Sequence, residues 1–292
     1  MKRRIGLIDV DGHHFPNFAL MKIANFHKTA GDTVEWVDYL KHYDKAYQSK
    51  VFTFTSDIQT PVQADESLKG GTGYKMYDEL FCEDMEPDYF LYPQYFHAYG
   101  FLTRGCIRRC RWCIVPEKEG GIRPYRDIET VLQGRKTAIL MDNNVLASNH
   151  GLRQLEKIID LKCKVDFNQG LDSRLVTEEV AKMLSQIKWI RFIRFAADTA
   201  SAIEPLLSAI EKLNRYGVKN YRIFVYLLVK EVADANERCK ILKGLGLIPF
   251  AQTYRDYENN IQPTAEQKQF ARYVNHKAIF NSIDWEDYKG LL

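Results

Sequence analysis

Tyr99-Gly100-Phe101-Leu102-Thr103-Arg104-Gly105-Cys106-Ile107-Arg108-Arg109-Cys110-Arg111-Trp112-Cys113 is the stretch from which the rest of the chain is read. It opens as a strand over Tyr99 to Thr103 and closes on a C-x3-C-x2-C arrangement. In parallel β/α folds ligands gather at the carboxyl ends of strands, so this position puts three thiols at the functional face. Thiolates suit zinc and iron-sulfur clusters, and a closed structural zinc or an electron-transfer cluster normally takes four protein ligands. Only three are close here. Three ligands on a four-iron cluster leave one iron open to a small molecule, as an open position separates catalytic from structural zinc. Ligating thiols must be deprotonated, and the neighbouring arginines are expected to favour that state. A zinc ion completed by Cys82, Cys163 or His97 is the alternative.

Outward from the cysteines, strands and helices alternate. Strands are expected near 99–103, 138–141, 164–168, 189–196, 221–228 and 248–254, with helices at 127–133, 152–161, 177–187, 202–216 and 233–245 between them. Such alternation with short links predicts a parallel sheet. The amino-terminal part reads as a βαβ unit: strand Ile5 to Asp9, helix Phe18 to Thr29, strand Val34 to Val37. A further strand is expected at Lys50 to Thr55, before Gly70-Gly71-Thr72-Gly73, which reads as a turn because the Lys-Ser/Thr pair of a phosphate loop is missing. The boundaries this predicts are 1–98, 99–261 and a helical carboxyl-terminal tail over 262–292.

The 292 residues, 46% of them hydrophobic and 13% aromatic, can bury a sizeable core. No run approaches the ~18 apolar residues of a membrane helix, and the first apolar run is broken by Asp9 and Asp11. A cytoplasmic protein is expected. Six cysteines are too few for a disulfide scaffold. Residues 104–126 carry seven Lys/Arg against two Glu, a local +5 inside a net +3, so the remainder sums to −2. This focusing favours an anionic ligand or substrate; a solvated loop is the bland alternative.

With Trp112 directly before the third cysteine, the chain resembles the radical S-adenosylmethionine (SAM) superfamily over about Tyr99 to Tyr257. The resemblance implies a (β/α)6 partial TIM barrel, a 4Fe-4S cluster on Cys106, Cys110 and Cys113, and SAM chelated by the open iron. It further implies reductive cleavage of SAM to methionine and a 5′-deoxyadenosyl radical that abstracts hydrogen from the substrate. A flavodoxin or ferredoxin would supply the electron. Phe101, Trp112 and the segment Asp142-Asn143-Asn144 are the expected SAM contacts, although the family often has a Gly-Gly-Glu-like segment at the latter place. Arg194 and Asp198 flank the fourth strand end and are added to the SAM set. Asn168, Gln169, Asp172, Arg174 and Arg109 are expected substrate contacts; helix caps and surface ion pairs are the bland readings of several of these residues.

The first 98 residues are similar in order to the small Rossmann-like cobalamin-binding domain of one radical SAM subgroup. Asp11-Gly12-His13-His14-Phe15-Pro16 contains the Asp-x-His of that subgroup's lower-ligand motif, with Pro16 in place of its glycine. If cobalamin is absent, His13 and His14 become possible substrate contacts on a lid. A small-molecule or nucleotide-type substrate fits the charge pattern, and nucleic acid stays among the candidates. The competing functions are a cobalamin-dependent methyltransferase and a zinc-stabilised nucleic-acid-binding protein. Residues 262–292 contain no cysteine, which argues against an auxiliary cluster there.

Overall fold

A computed structural model describes residues 2–256, 259 and 261–290. Met1, Tyr257 and Leu292, which bound three of the expected segments, lie outside the described residues. The chain divides into two compact units, residues 1–96 and 97–292.

The first unit is a four-stranded, all-parallel sheet. Its strands are β1 (Arg4–Asp9), β2 (Thr33–Trp36), β3 (Tyr43–Ser49) and β4 (Ala64–Gly70), in the order β2-β1-β3-β4. Helix α1 (Phe18–Thr29) packs on the sheet through Leu20, Ile23 and Ala24, and Asn17 caps it by accepting from the Leu20 amide. The strand expected at Lys50 to Thr55 is instead the loop after β3. That loop is held because the Asp11 carboxylate accepts from the Val51 amide at 2.6 Å and from the Thr55 hydroxyl at 2.6 Å. Edge strand β4, Ala-Asp-Glu-Ser-Leu-Lys-Gly, is mostly exposed, so it shows no apolar alternation. Charged edges of this kind resist pairing with a further strand. Gly71, at φ +102°, is required: a Cβ there would lie 2.5 Å from the Lys50 carbonyl oxygen.

In the second unit the expected alternation is present. Strand β5 (Ala98–Gly100) leads to β6 (Thr103–Arg104), which pairs antiparallel with β7 (Arg123–Pro124) across the cysteine loop and its short helix α2 (Val115–Lys118). There follow α3 (Ile128–Leu132), β8 (Thr137–Leu140), α4 (Asn149–Leu161), β9 (Lys164–Phe167), α5 (Glu178–Gln186) and β10 (Lys188–Trp189). Next come β11 (Ile193–Ala196), α6 (Ile203–Arg215), β12 (Ile223–Val229), α7 (Val232–Gly244) and β13 (Ile248–Thr253). All the major pairings are parallel, but they form two sheets, β10-β9-β8-β5 and β11-β12-β13. The strand expected over 189–196 breaks at Ile190-Arg191-Phe192. The backbone links the two sheets at the bridge Leu171↔Phe195, where the Leu171 amide donates to the Arg194 carbonyl at 2.7 Å. No closed barrel forms among the described residues.

Strand β12 shows how the layers are set. Ile223, Val225, Leu227 and Val229 are buried, while Phe224, Tyr226 and Leu228 are half-buried on the other face. This period of two follows from the pleat. The buried set packs in one core with Leu206, Ile210 and Leu213 of α6 and Leu242 of α7. Residues expected as a tail form α8 (Ala265–Asn275), α9 (Lys277–Ser282) and α10 (Trp285–Gly290), whose Phe270, Tyr273 and Trp285 enter that same core. Helix α8 begins in a capping box, Thr264 with Gln267, and ends at Asn275, which satisfies the open edge of β13 by bonding both the amide and the carbonyl of Ala251. No described helix is long and apolar enough to cross a membrane.

Candidate functional site

The cysteine loop is positioned by two buried carboxylates, one on each side of β6. Asp142, at the end of β8 and 1% exposed, accepts from the Leu102 amide at 3.1 Å, the Thr103 amide at 2.6 Å and the Thr103 hydroxyl at 2.7 Å. Burial lifts its carboxyl to about 6, against the pull of the Thr103 and Leu102 donors. Its oxygens thus face the backbone that leads into the cysteines. Asp142, expected among the SAM contacts, here accepts from the strand that leads to the cysteines. Glu119 does the equivalent work beyond the loop: it pairs with Arg104 at 3.0 Å and accepts from the Gly105 amide and the Asn143 side chain, each at 2.9 Å. Asn143 is therefore a donor to Glu119. Gly105, at φ +79°, passes so close to Gly121 that a Cβ would stand 2.1 Å from its carbonyl oxygen, and the Cys106 amide then bonds the Gly120 carbonyl at 3.2 Å.

Cys106 and Cys110 are half-buried and Cys113 is exposed. Burial raises the Cys110 thiol above its ordinary range, although the Arg174 guanidinium pulls it down. Cys113, exposed as a residue, has a sulfur desolvated enough to be raised as well. At Cys110 burial thus opposes the thiolate that the Arg174 charge favours. The nearby guanidiniums are engaged in ion pairs: Arg104 with Glu119, and Arg108 and Arg174 with Asp172 at 2.8 and 2.6 Å. Burial opposes it, yet the Arg174 and Arg108 guanidiniums hold the Asp172 carboxyl below its usual value. Arg109 and Arg111 are exposed.

Asn144 lies where these groups converge. It is 2% exposed, and its amide nitrogen stands 3.5 Å from Cys106 Sγ and 3.3 Å from Asp172 Oδ2. Its oxygen is buried without a hydrogen-bond partner. A buried acceptor left open beside a candidate ligand is an unmet requirement that a bound group can fill.

The other expected residues are distributed as follows. Phe101 packs under the Arg104 guanidinium, 4.1 Å from its ring centroid, with Tyr125 edge-on. Trp112 hydrogen-bonds Asp198, whose carboxyl is raised by burial and also accepts from the Leu228 amide at 3.2 Å. Arg194 is taken up by a bidentate pair with Asp166 at 2.6 and 2.7 Å and by Tyr226, so its charge serves the inner face of the sheets. The Tyr226 hydroxyl donates to the Asn168 carbonyl at 2.6 Å, and Gln169 bonds only the Asn168 side chain among the recorded contacts. His13 and His14 lie in the first unit. His13 has φ +59° and its ring lies tilted against Trp36, centroids 4.1 Å apart, with Tyr92 edge-on; His14 is exposed. Asp11, spent on the loop after β3, forms no recorded bond to either histidine.

The structure brings Cys106, Cys110, Cys113, Trp112, Asn144, Asp172, Arg174 and Asp198 into one neighbourhood. Sequence reasoning missed Glu119, Asp166 and Tyr226, whose partners are 14, 28 and 58 residues away. Among the described residues, no three His, Cys, Asp or Glu side chains are gathered tightly enough for a single metal ion. A lone zinc would need thiolates within ~4 Å of one another. The extra ligands of the zinc reading are committed elsewhere: Cys163 is buried against the Ile158 carbonyl, His97 bonds the Thr137 hydroxyl at the opposite end of β5, and Cys82 belongs to the core of the first unit.

No protein family and no curated protein matches the sequence. The fold is similar to a solved structure of the cobalamin-dependent S-adenosylmethionine radical enzyme OxsB with aqua-cobalamin and S-adenosylmethionine bound, at a TM-score of 0.56 and 13% identity. That likeness covers 97% of this chain and 57% of the other, so this chain spans well under two thirds of that protein. The chain shares, in outline, the fold of that structure, and the likeness is one of fold alone.

Proposed function

We propose that the chain is a radical SAM enzyme in which Cys106, Cys110 and Cys113 hold a 4Fe-4S cluster. One observation carries the reading: three thiols on a loop after the first strand of two parallel sheets, with a buried, unpartnered amide oxygen beside the first of them. Of the seven parallel strands in the two sheets, β5, β8, β9, β11, β12 and β13 are read as an open (β/α)6 arrangement, with β10 at the edge beside β9. When bound, the cluster supplies the electron that cleaves SAM into methionine and a 5′-deoxyadenosyl radical for hydrogen abstraction.

This chain's residues divide the remaining work. The Asn144 oxygen, buried and without a partner, is the acceptor suited to the SAM ammonium group, whereas the Asp142 oxygens already accept from the strand that leads to the cysteines. Trp112 and Asp198, linked to each other, wall the site on the side of β11, and Phe101 is held by Arg104. Asp172 pairs with two arginines, Arg108 and Arg174, while Arg109 and Arg111 are exposed cations within the cysteine loop. We assign them to an anionic, small-molecule or nucleotide-type substrate, and the electron to a flavodoxin or ferredoxin. In Arg109→Gln, with iron content unchanged, substrate binding is expected to lose part of its dependence on ionic strength, as screening requires. Equal salt dependence in both proteins would return Arg109 to a solvated loop.

Cobalamin-dependent methyl transfer is the second reading, favoured by the named cofactor of the OxsB structure. The residues of the first unit fit it poorly at one point: an Asp-x-His pair needs Asp11 free to orient an imidazole, and Asp11 instead binds Val51 and Thr55.

The test is anaerobic reconstitution followed by reduction with SAM present. About four iron and four sulfide per chain are expected, with 5′-deoxyadenosine formed. Stoichiometric zinc without iron, or an intact reduced cluster that never yields deoxyadenosine, would overturn the proposal.

A further inference from the structure

Asn144 carries a second feature besides its open oxygen. Its two amide hydrogens face two acceptors, the Cys106 sulfur at 3.5 Å and the Asp172 carboxylate at 3.3 Å. The opposite amide orientation would set the oxygen against both, so chemistry selects the one shown. Asp172 is itself immobilised, because Arg108 from the cysteine loop binds one of its oxygens and Arg174 the other. Its side chain is only 6% exposed. The Arg108 amide adds another donor to the same sulfur at 3.3 Å. Cys106 is thus a thiol toward which N–H groups are aimed from two directions.

Hydrogen bonds to the sulfurs of an iron-sulfur centre stabilise its more negative, reduced state, and surrounding groups that orient the ligands tune it further. We infer that Asn144, oriented by Asp172, donates to Cys106 and raises the reduction potential of the centre this cysteine helps to hold. The inference rests on the radical SAM reading. Asn144 touches the ligating sulfur, and Asp172 is a positioning residue that acts through it. The functional consequence is a centre that a mild protein donor can reduce to a useful extent.

The experiment is a redox titration of the reconstituted full chain without SAM, followed by absorbance and electron paramagnetic resonance, with iron and sulfide measured in every variant. Asn144→Leu keeps the side-chain size and net charge and removes the donor. At a fixed ambient potential the ratio of reduced to oxidised protein is expected to fall about tenfold, ~59 mV for one electron. Asp172→Glu keeps the charge and displaces the carboxylate, so it should shift the potential in the same direction. In the Asn144→Leu background it should add nothing, because the two act in series. An unmoved potential in Asn144→Leu with full iron overturns the inference, as does additivity of the two substitutions. If Asn144→Leu does not retain iron, Asp172→Glu decides alone: an unmoved potential there is equally fatal. Wild-type protein without iron and sulfide would overturn the radical SAM reading and this inference together, whereas a wild-type cluster with unmoved variants removes only the inference.

Discussion

Replacing Cys110 with alanine is expected to bring iron and sulfide to background and to abolish 5′-deoxyadenosine formation, while the protein stays folded. On the radical SAM reading, loss is complete rather than graded because the open iron would exist only when three thiolates hold the other three. The fold should survive because Cys110 lies outside the core, half-buried in a loop. The contacts that shape that loop, Glu119 to Gly105, Asp142 to Thr103 and the Cys106 amide to Gly120, do not use its sulfur. A stability change within about 1 kcal/mol follows. Cys239→Ala supplies the contrast. Cys239 is 1% exposed inside the core, so its truncation should cost about 1–2 kcal/mol in thermal or urea unfolding and leave iron content intact. Retention of iron by Cys110→Ala, or its loss in Cys239→Ala at a temperature where that variant is folded, would show that the ligands have been assigned wrongly.

The alternation of the second unit was legible because its elements announce themselves locally. Ile223 to Val229 alternates with the pleat, and α4 presents Leu155 and Ile158 on one face to the core. The first unit was less legible because β3 mixes buried Tyr43, Ala46 and Tyr47 with Asp44, Lys45 and Gln48, and β4 buries almost nothing. The apolar Val51-Phe52-Thr53-Phe54 drew the strand assignment instead, yet Phe54 is 51% exposed. At the site, the three cysteines are visible as a spacing, whereas the role of Asn144 depends on partners 38 and 28 residues away. Likewise, nothing local distinguishes Asp142 from Asn144. Only the folded chain shows that the former is consumed by amides and that the latter keeps an open oxygen.

That distinction makes Asp142 the strongest test of what assembles the site. In Asp142→Ala the amides of Leu102 and Thr103 and the Thr103 hydroxyl lose their acceptor, and both residues are fully buried. Each orphaned donor costs about 1–3 kcal/mol, and as a group about 3–5 kcal/mol, since the three share one acceptor. For a unit of this size the midpoint of thermal unfolding should fall by roughly 10 °C. Iron retention should fall with it, because Thr103 leads directly through Gly105 to Cys106. Asp142→Asn separates acceptor from charge. It keeps one oxygen for the donors and should be milder, and it removes a titration. Burial raises the folded carboxyl to about 6, above its ordinary value of 3.8, so the folded state binds this proton more tightly than the unfolded one. The stabilisation from that proton is full below about pH 4 and is lost as pH rises through 6, a difference of about 3 kcal/mol at most. Wild type should therefore gain stability relative to Asp142→Asn between pH 7 and pH 4, measured by urea unfolding of both proteins in parallel. If Asp142→Ala instead unfolds at the wild-type temperature, keeps its iron and loses only affinity for SAM, then Asp142 is a SAM contact after all and the bracing role belongs to Glu119 alone.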